Sequence, residues 1–504
     1  MICRCRAPAW SIPADEKGTG TGMGRISALL RMGLLTAVIG CTTVNTPINA
    51  PISAKNSDTL LSEVSRDDDG LFIGLAFSGG GTRATAFSWG MLDALRARTA
   101  TPDNPNGVLE HVRLVSGVSG GSVTAAYFGL RGPRGLNGMR KFLYKDGETY
   151  MANSPYNPLT LVRGLTGGAN SRNSFGRFVD EELFKGATFG DLARRSSIRT
   201  WINATDVANS VPFVFTPETF DALCSDLSRL PLSEAVSASA AFPLVFAPIV
   251  LESHRKTCTY REPDWLTSAR FNPEASQAMR AHARALESYG DPNQAQFVKL
   301  LDGGITDNFG TTALSVLRAR AQNPYGPLTQ AEAVRMRRML FLVADAGVEG
   351  ERDWTKTLPG PGGPALAMSI ANSSISAATR TGYDVFRLTL NNWHRDLLNY
   401  RCSLSKAEVK RLRGSLQGWD CKDLKLFVGQ VTLASLDRAT RAQVDVIPTR
   451  LRLERDQVDT TIAAAGKATN ASPEFNGFLR SIGGVQIGAQ TGGVAPRQIT
   501  PTKN

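Results

Sequence analysis

Val112-Arg113-Leu114-Val115-Ser116-Gly117-Val118-Ser119-Gly120-Gly121 is the stretch on which the reading of this 504-residue chain turns. Its apolar opening predicts a strand at 112–115, and the residues from about Gly121 to Leu130 predict a helix. Between the two lies Gly117-Val118-Ser119-Gly120-Gly121, a G-x-S-x-G sequence. A strand, a sharp turn and a helix form the setting in which such a serine is lifted clear of its neighbours. Gly117 and Gly121 suit a turn too tight for bulky side chains. The helix start behind Ser119 favours negative charge developing there. A Gly-Ser loop without function has the same composition, so this motif needs company.

The flanks supply it. Upstream, Leu71-Phe72-Ile73-Gly74-Leu75-Ala76-Phe77 is a continuous apolar run, as expected of a strand covered on both faces. Ser78-Gly79-Gly80-Gly81-Thr82-Arg83 follows it and opens a helix over 82–98. Backbone N–H groups of such a loop can face an anion. The loop lacks the Gly-Lys-Ser/Thr ending of a nucleotide site and the G-x-G-x-x-G spacing, so an oxyanion site for acyl transfer fits better. Downstream, Leu301-Asp302-Gly303-Gly304-Ile305-Thr306-Asp307-Asn308 puts Asp302 at the end of an apolar strand. A carboxylate there is partly desolvated and can serve as a base, although a turn-stabilising Asp reads the same way. Further strands are predicted at 199–204, 212–215, 245–251, 297–301 and 339–344. Their alternation with helices predicts an α/β fold with a mostly parallel sheet covered on both sides.

Ala238-Ser239-Ala240-Ala241-Phe242-Pro243 and Asn203-Ala204-Thr205-Asp206, with Phe213-Val214-Phe215, complete the pattern. Together these segments resemble the patatin-like phospholipase family over residues 70–345. The resemblance implies a three-layer α/β/α fold and hydrolysis of carboxylic ester bonds in lipids and phospholipids. It implies no metal and no cofactor, with Ser119 as nucleophile and Asp302 as general base. Gly79, Gly80 and Gly81, with Arg83 nearby, would form the oxyanion hole, and Gly117 and Gly121 the turn around the nucleophile. Two positions depart from the family pattern: Ala84 replaces the last Gly of G-G-G-x-R-G, and Gly310 stands where Pro often follows Asn308 by two.

Only four His exist: His111, His254, His282 and His394. His394 alone gives the chain order Ser119, Asp302, His394 of an α/β-hydrolase triad, which is the rival enzyme reading. A non-catalytic, lipid-binding envelope lipoprotein is the third.

The amino terminus reads as an export signal over residues 1–40, with residues 1–22 outside the usual pattern and Met23 the more usual start. The apolar stretch Met32–Ile39 is too short to span a bilayer, which takes about 20 residues. Val38-Ile39-Gly40-Cys41 resembles a bacterial lipobox, which implies acylation of Cys41 and a lipid-anchored place in the cell envelope, the outer membrane favoured. Residues 41–69 read as a tether, 131–197 as a Gly- and Asn-rich cap, 346–465 as a mainly helical extension and 466–504 as a flexible tail. Cys224, Cys258, Cys402 and Cys421 form an even set that suits disulfides. Nearest-neighbour pairing is one of three connectivities, and free thiols remain open. The net charge is +12, and a chain starting at Cys41 would lose five basic and two acidic residues and carry +9. That suits a membrane surface. The absence of zinc-finger spacing and of an aromatic–basic RNA motif argues against nucleic acid.

Overall fold

A computed structural model describes residues 43–52 and 70–483, apart from 155, 156, 158, 159, 161–163, 165, 166, 292 and 349–352. The expected signal, Cys41 and the last residues of the expected tail lie outside the described residues.

Eight strands form one mixed sheet: β1 Leu71–Phe77, β2 Val112–Val118, β3 Arg199–Asp206, β4 Val211–Val214, β5 Ile249–Glu252, β6 Phe297–Asp302, β7 Arg338–Asp345 and β8 Lys425–Thr432. The order is β5-β6-β3-β2-β1-β7-β8, with β4 paired to β3. From β3 through β2, β1 and β7 to β8 every pairing is parallel. The helices that matter here are α1 Gly81–Thr99, α2 Gly120–Arg131, α3 Leu232–Ser239, α4 Gly304–Asp307, α5 Thr312–Arg320, α6 Gly363–Ser403, α7 Arg455–Ala471 and α8 Pro473–Ile482.

Strand alternation divides the core in two. Leu71, Ile73, Leu75 and Phe77 point into one cluster, which holds Phe87 and Leu92 of α1 and Ala464 and Ala468 of α7. Phe72 and Ala76 point into the other, with Phe341 of β7 and Phe386, Leu390 and Trp393 of α6. Helices thus cover both faces, giving the three layers the apolar β1 run implied.

Three expectations need correcting. Residues 425–432, inside the stretch read as helical, form β8 and pair with β7 along its whole length. The tail does not begin at 466: α7 continues to Ala471 and α8 follows, burying Phe475, Phe478 and Ile482. The cap stretch 131–197 is also partly core, since Phe175, Phe178, Val179 and Phe184 are buried. The disulfides are Cys224–Cys258 and Cys402–Cys421, the nearest-neighbour pairing.

Candidate active site

The register of β3 brings the Ser119 and Asp302 segments together. Asn203 pairs with Val118 of β2 on one side and Val214 of β4 on the other. Ala204, the next residue, pairs with Asp302 of β6 and with Phe213 of β4. Because β4 holds one edge throughout, β2 and β6 must share the other. β2 runs parallel to β3 and β6 antiparallel, so their carboxyl ends meet tip to tip. Ser119 leaves one tip and Asp302 ends the other.

Ser119 sits at φ 50°, ψ −123°, a strained backbone for a residue with a side chain. Its N–H donates to Ser239 Oγ at 2.8 Å, and that hydroxyl donates to the Asn203 carbonyl at 2.6 Å. The last turn of α3 therefore pins the strained residue to β3. The glycines around it are needed for space. A Cβ on Gly117 would lie 2.5 Å from the Gly121 carbonyl oxygen, and one on Gly121 2.4 Å from that of Phe77. Gly120 is tighter still, at 2.0 Å from the Gly81 carbonyl oxygen. The glycine loop after β1 and the turn after β2 thus touch backbone to backbone. Gly120→Ala should force them apart, costing about 1–3 kcal/mol as overpacking does, and lower the thermal midpoint measurably.

Asp302 is buried, 3% exposed. Desolvation pushes its carboxyl up to about 6, against a hydrogen bond from the Gly304 N–H and one from the Ser119 side chain. The Gly304 N–H lies 2.8 Å from Asp302 Oδ1. Thr205 Oγ donates to the Asp302 carbonyl at 2.8 Å, fixing the turn.

The four residues expected to cradle an oxyanion part company. The Gly79 N–H is spent on Asn308, at 3.1 Å to Oδ1 and 3.3 Å to the carbonyl oxygen. Gly80 and Gly81, at φ 134° and φ 61°, have no backbone N–H partner among the described residues. Arg83 does not face the site. Its guanidinium donates to the carbonyls of Ala346 (3.2 Å) and Ile447 (2.5 Å) and to Thr449 Oγ (2.9 Å). Burial lowers its pKa to about 10, with Asp445 and Asp345 pulling it back up, so it stays cationic at neutral pH. Arg83 is a brace beneath the loop. Beside it the Thr82 N–H donates to the Arg450 carbonyl at 2.8 Å, so the segment after β8 underpins the glycine loop. Sequence reasoning missed Asn308, Ser239 and this carboxyl-terminal support. The first two lie inside motifs already quoted, yet nothing in their spacing reveals whom they bond.

His394 lies elsewhere. Its Nε2 bonds the Leu424 carbonyl at 2.8 Å, just before β8 begins. β8 begins opposite Arg338, where β1 and β7 also begin, whereas Ser78 and Ser119 follow the ends of β1 and β2. A strand of seven residues, about 23 Å at 3.3 Å each, separates the two ends. The triad order in sequence is therefore not a triad in space. His394→Ala should retain most ester hydrolysis in a steady-state assay, and a loss beyond about tenfold would restore the triad.

A serine on a strained turn between a parallel strand and the helix behind it is the elbow of α/β hydrolytic enzymes. Residues 75–315 match the family model Patatin, described as patatin-like phospholipase. Among curated proteins the chain is similar to probable lysophospholipase 3 of Schizosaccharomyces pombe, 38% identical over 79 residues, which is 16% of this chain and 12% of that protein. It is also 35% identical over 79 residues to probable lysophospholipase 4 of the same organism, again over 12% of that protein. The chain thus spans a small part of the length of these relatives. Among solved structures it is similar to human GIVD cytosolic phospholipase A2, with 13% identity over 84% of this chain and 64% of that chain, at a TM-score of 0.36. VipD from Legionella pneumophila matches at 12% identity over 86% of this chain and 73% of that chain, at a TM-score of 0.26.

Proposed function

We propose that the chain is a lipid acyl hydrolase that cleaves carboxylic ester bonds of phospholipids through a Ser119–Asp302 dyad. The observation that carries this is the tip-to-tip meeting of β2 and β6, which sets a strained serine beside a buried carboxyl with its pKa near 6. As Ser119 Oγ attacks the ester carbonyl carbon, Asp302 takes its proton, and the carbonyl electron pair moves onto the oxygen. The backbone N–H groups of Gly80 and Gly81 meet that oxyanion, each worth about 10²–10³ in rate by analogy with other such donors. Collapse expels the alcohol, which takes the proton from Asp302 and leaves an acyl-serine. Water, deprotonated by Asp302, then attacks the acyl carbon; the fatty acid is released, and the departing Ser119 oxygen takes the proton back from Asp302.

The test is lipid mass spectrometry of phosphatidylethanolamine–phosphatidylglycerol vesicles incubated with the full chain. Free fatty acid and lysophospholipid should accumulate with wild type and not with Ser119→Ala. Equal product from both proteins would refute the assignment, and no product from wild type would remove phospholipids from its substrates.

A lipid anchor on Cys41 would hold this activity at the envelope membrane. The support is the Val38–Cys41 segment after a short apolar run. Among the described residues no helix is long and apolar enough to cross a membrane. Intact mass of the protein extracted from a bacterial host should show residues 1–40 missing and an acylated Cys41. An unmodified full-length mass would remove the anchor.

A further inference from the structure

The two halves of α6, a helix of 41 residues, differ in what they face. The second half lies on the sheet. Phe386, Leu390, Trp393 and Leu397, at i, i+4, i+7 and i+11, are buried there, and Arg387, Arg395 and Asp396 fall between them. The first half is different: from Gly363 to Val385 no described residue is buried.

This half is placed by the turn after Asp302. Ser374 Oγ donates to the Ile305 carbonyl at 3.4 Å, and the Tyr383 ring meets that of Phe309 at 6.1 Å. His394 of the same helix sits beside the amino end of β8. Between His394 and Ser374, therefore, α6 crosses the sheet toward the edge that carries Ser119 and Asp302. Gly363 to Ser373, eleven residues or about 16 Å at 1.5 Å each, continue past the turn.

The composition of this segment is not that of a helix in water. Thr357 to Thr379, 23 residues, contain no Asp, Glu, Lys, Arg or His. An exposed helix ordinarily carries a charged face and ion pairs at i, i+4, and this one has neither. Leu366 and Ile370, one turn apart, are 45% and 62% exposed. Just ahead of them in the chain, Leu358 is fully exposed and Trp354 half exposed. Where charge returns it is mainly basic. Arg380 and Arg387 are exposed, and Asp384 is the one acid from Gly363 to Asn392.

We propose that the first half of α6, with Trp354 and Leu358 ahead of it, is the surface by which the protein docks on an anionic lipid bilayer. Leu358, Leu366 and Ile370 enter the boundary between head groups and acyl chains, Trp354 sits at head-group level, and Arg380 and Arg387 face lipid phosphates. The choice of a bilayer rests on the phospholipid hydrolase reading, since this half stands on the edge where the Ser119–Asp302 site lies, and on the basic residues that follow it. The helix docks and does not span, because no helix among the described residues is long and apolar enough to cross a membrane.

The binding test uses the full chain carrying Ser119→Ala, so that it does not depend on catalysis. Ile370→Trp adds a reporter, read on phosphatidylethanolamine–phosphatidylglycerol vesicles that contain a phosphatidylcholine doxyl-labelled on its acyl chain. The labelled lipid should quench the emission that Ile370→Trp adds. Lys422→Trp, on the exposed loop before β8 at the other edge of the sheet, is the control, and its added emission should not be quenched. A chain held only by an anchor at Cys41 would show quenching at neither position.

The functional test is the Leu366→Glu, Ile370→Glu double variant of the catalytically intact chain. Both side chains are exposed, so the thermal midpoint should not move. The ratio of vesicle phospholipid hydrolysis to hydrolysis of a water-soluble short-chain ester should fall about tenfold or more. If the wild type cleaves no phospholipid, the proposed function falls, and the quenching still decides the docking surface. No quenching at position 370, equal quenching at position 422, or an unchanged ratio would each overturn the proposal. So would a lipid-free dimer that the double variant dissociates, which would assign the surface to a second copy of the chain.

Discussion

Ser119→Ala should lower ester hydrolysis by roughly 10⁴-fold or more, the scale on which serine nucleophiles are lost in enzymes where they act as a unit with their base. The fold should survive. The substitution removes one oxygen and keeps the Cβ, so the φ 50° backbone is no more strained than before. The Ser119 N–H still donates to Ser239 Oγ, and the glycine contacts at 117, 120 and 121 do not involve the hydroxyl. Stability should therefore stay within about 1 kcal/mol of wild type, the net worth of a single hydrogen bond. Hydrolysis of a fluorogenic acyl ester beside a chemical melt checks both halves. Residual activity above about one per cent, in a protein that melts normally, would mean another nucleophile.

Much of this site was legible because a parallel sheet buried on both faces writes itself as unbroken apolar runs. β1 was read at its observed limits, and β2, β3, β6 and β7 to within a few residues. β8 was not, for a physical reason. It is an edge strand, Lys425-Leu-Phe-Val-Gly-Gln-Val-Thr, with only Gly429 and Val431 buried, so it carries no continuous run. Small residues misled in the other direction. The Gly, Thr, Ser and Pro content of 466–504 suggested a flexible tail, but its first residues finish α7 and form α8, which buries Phe475, Phe478 and Ile482. A Cβ on Gly90 of α1 would lie 2.8 Å from the Ala465 Cβ of α7, so the two helices meet nearly backbone to backbone.

The motifs likewise gave residues without giving partners. Ser119 and Asp302 were legible because each ends a strand beside glycines. That their strands meet tip to tip depends on β6 entering antiparallel on the edge that β2 vacates, which no local pattern encodes. Arg83 was misplaced for the same reason. An Arg next to an anion-binding loop reads as a ligand for the anion, and only the carbonyls of Ala346 and Ile447 reveal it as a brace.

Asp302→Asn should nearly abolish hydrolysis and at the same time make the protein more stable. The loss of activity follows from the role of base: a carboxamide cannot accept the Ser119 proton, while its oxygen can still accept the Gly304 N–H at the observed 2.8 Å. The two losses should not add, so the Ser119→Ala, Asp302→Asn double variant should be no slower than either single one. The gain in stability follows from burial. Burial holds the folded carboxyl at about 6 against the ordinary 3.8 of a solvated Asp, so folding favours its protonated form. Stability from that proton is fully present below about pH 4, is lost as pH rises toward 6, and stays lost above it. The difference of about two units corresponds to roughly 3 kcal/mol. Asn carries no charge to desolvate, so variant and wild type should melt alike near pH 4. At pH 7 the variant should be the more stable by about 1–3 kcal/mol. The same titration predicts that wild-type kcat/KM falls about tenfold per unit as pH drops below 6, because the protonated acid cannot act as a base. Denaturant melts of both proteins at pH 4 and pH 7, beside the pH profile, decide the matter. A variant less stable at pH 7, or a rate that stays flat down to pH 4, would mean that the Asp302 carboxyl is not the buried base.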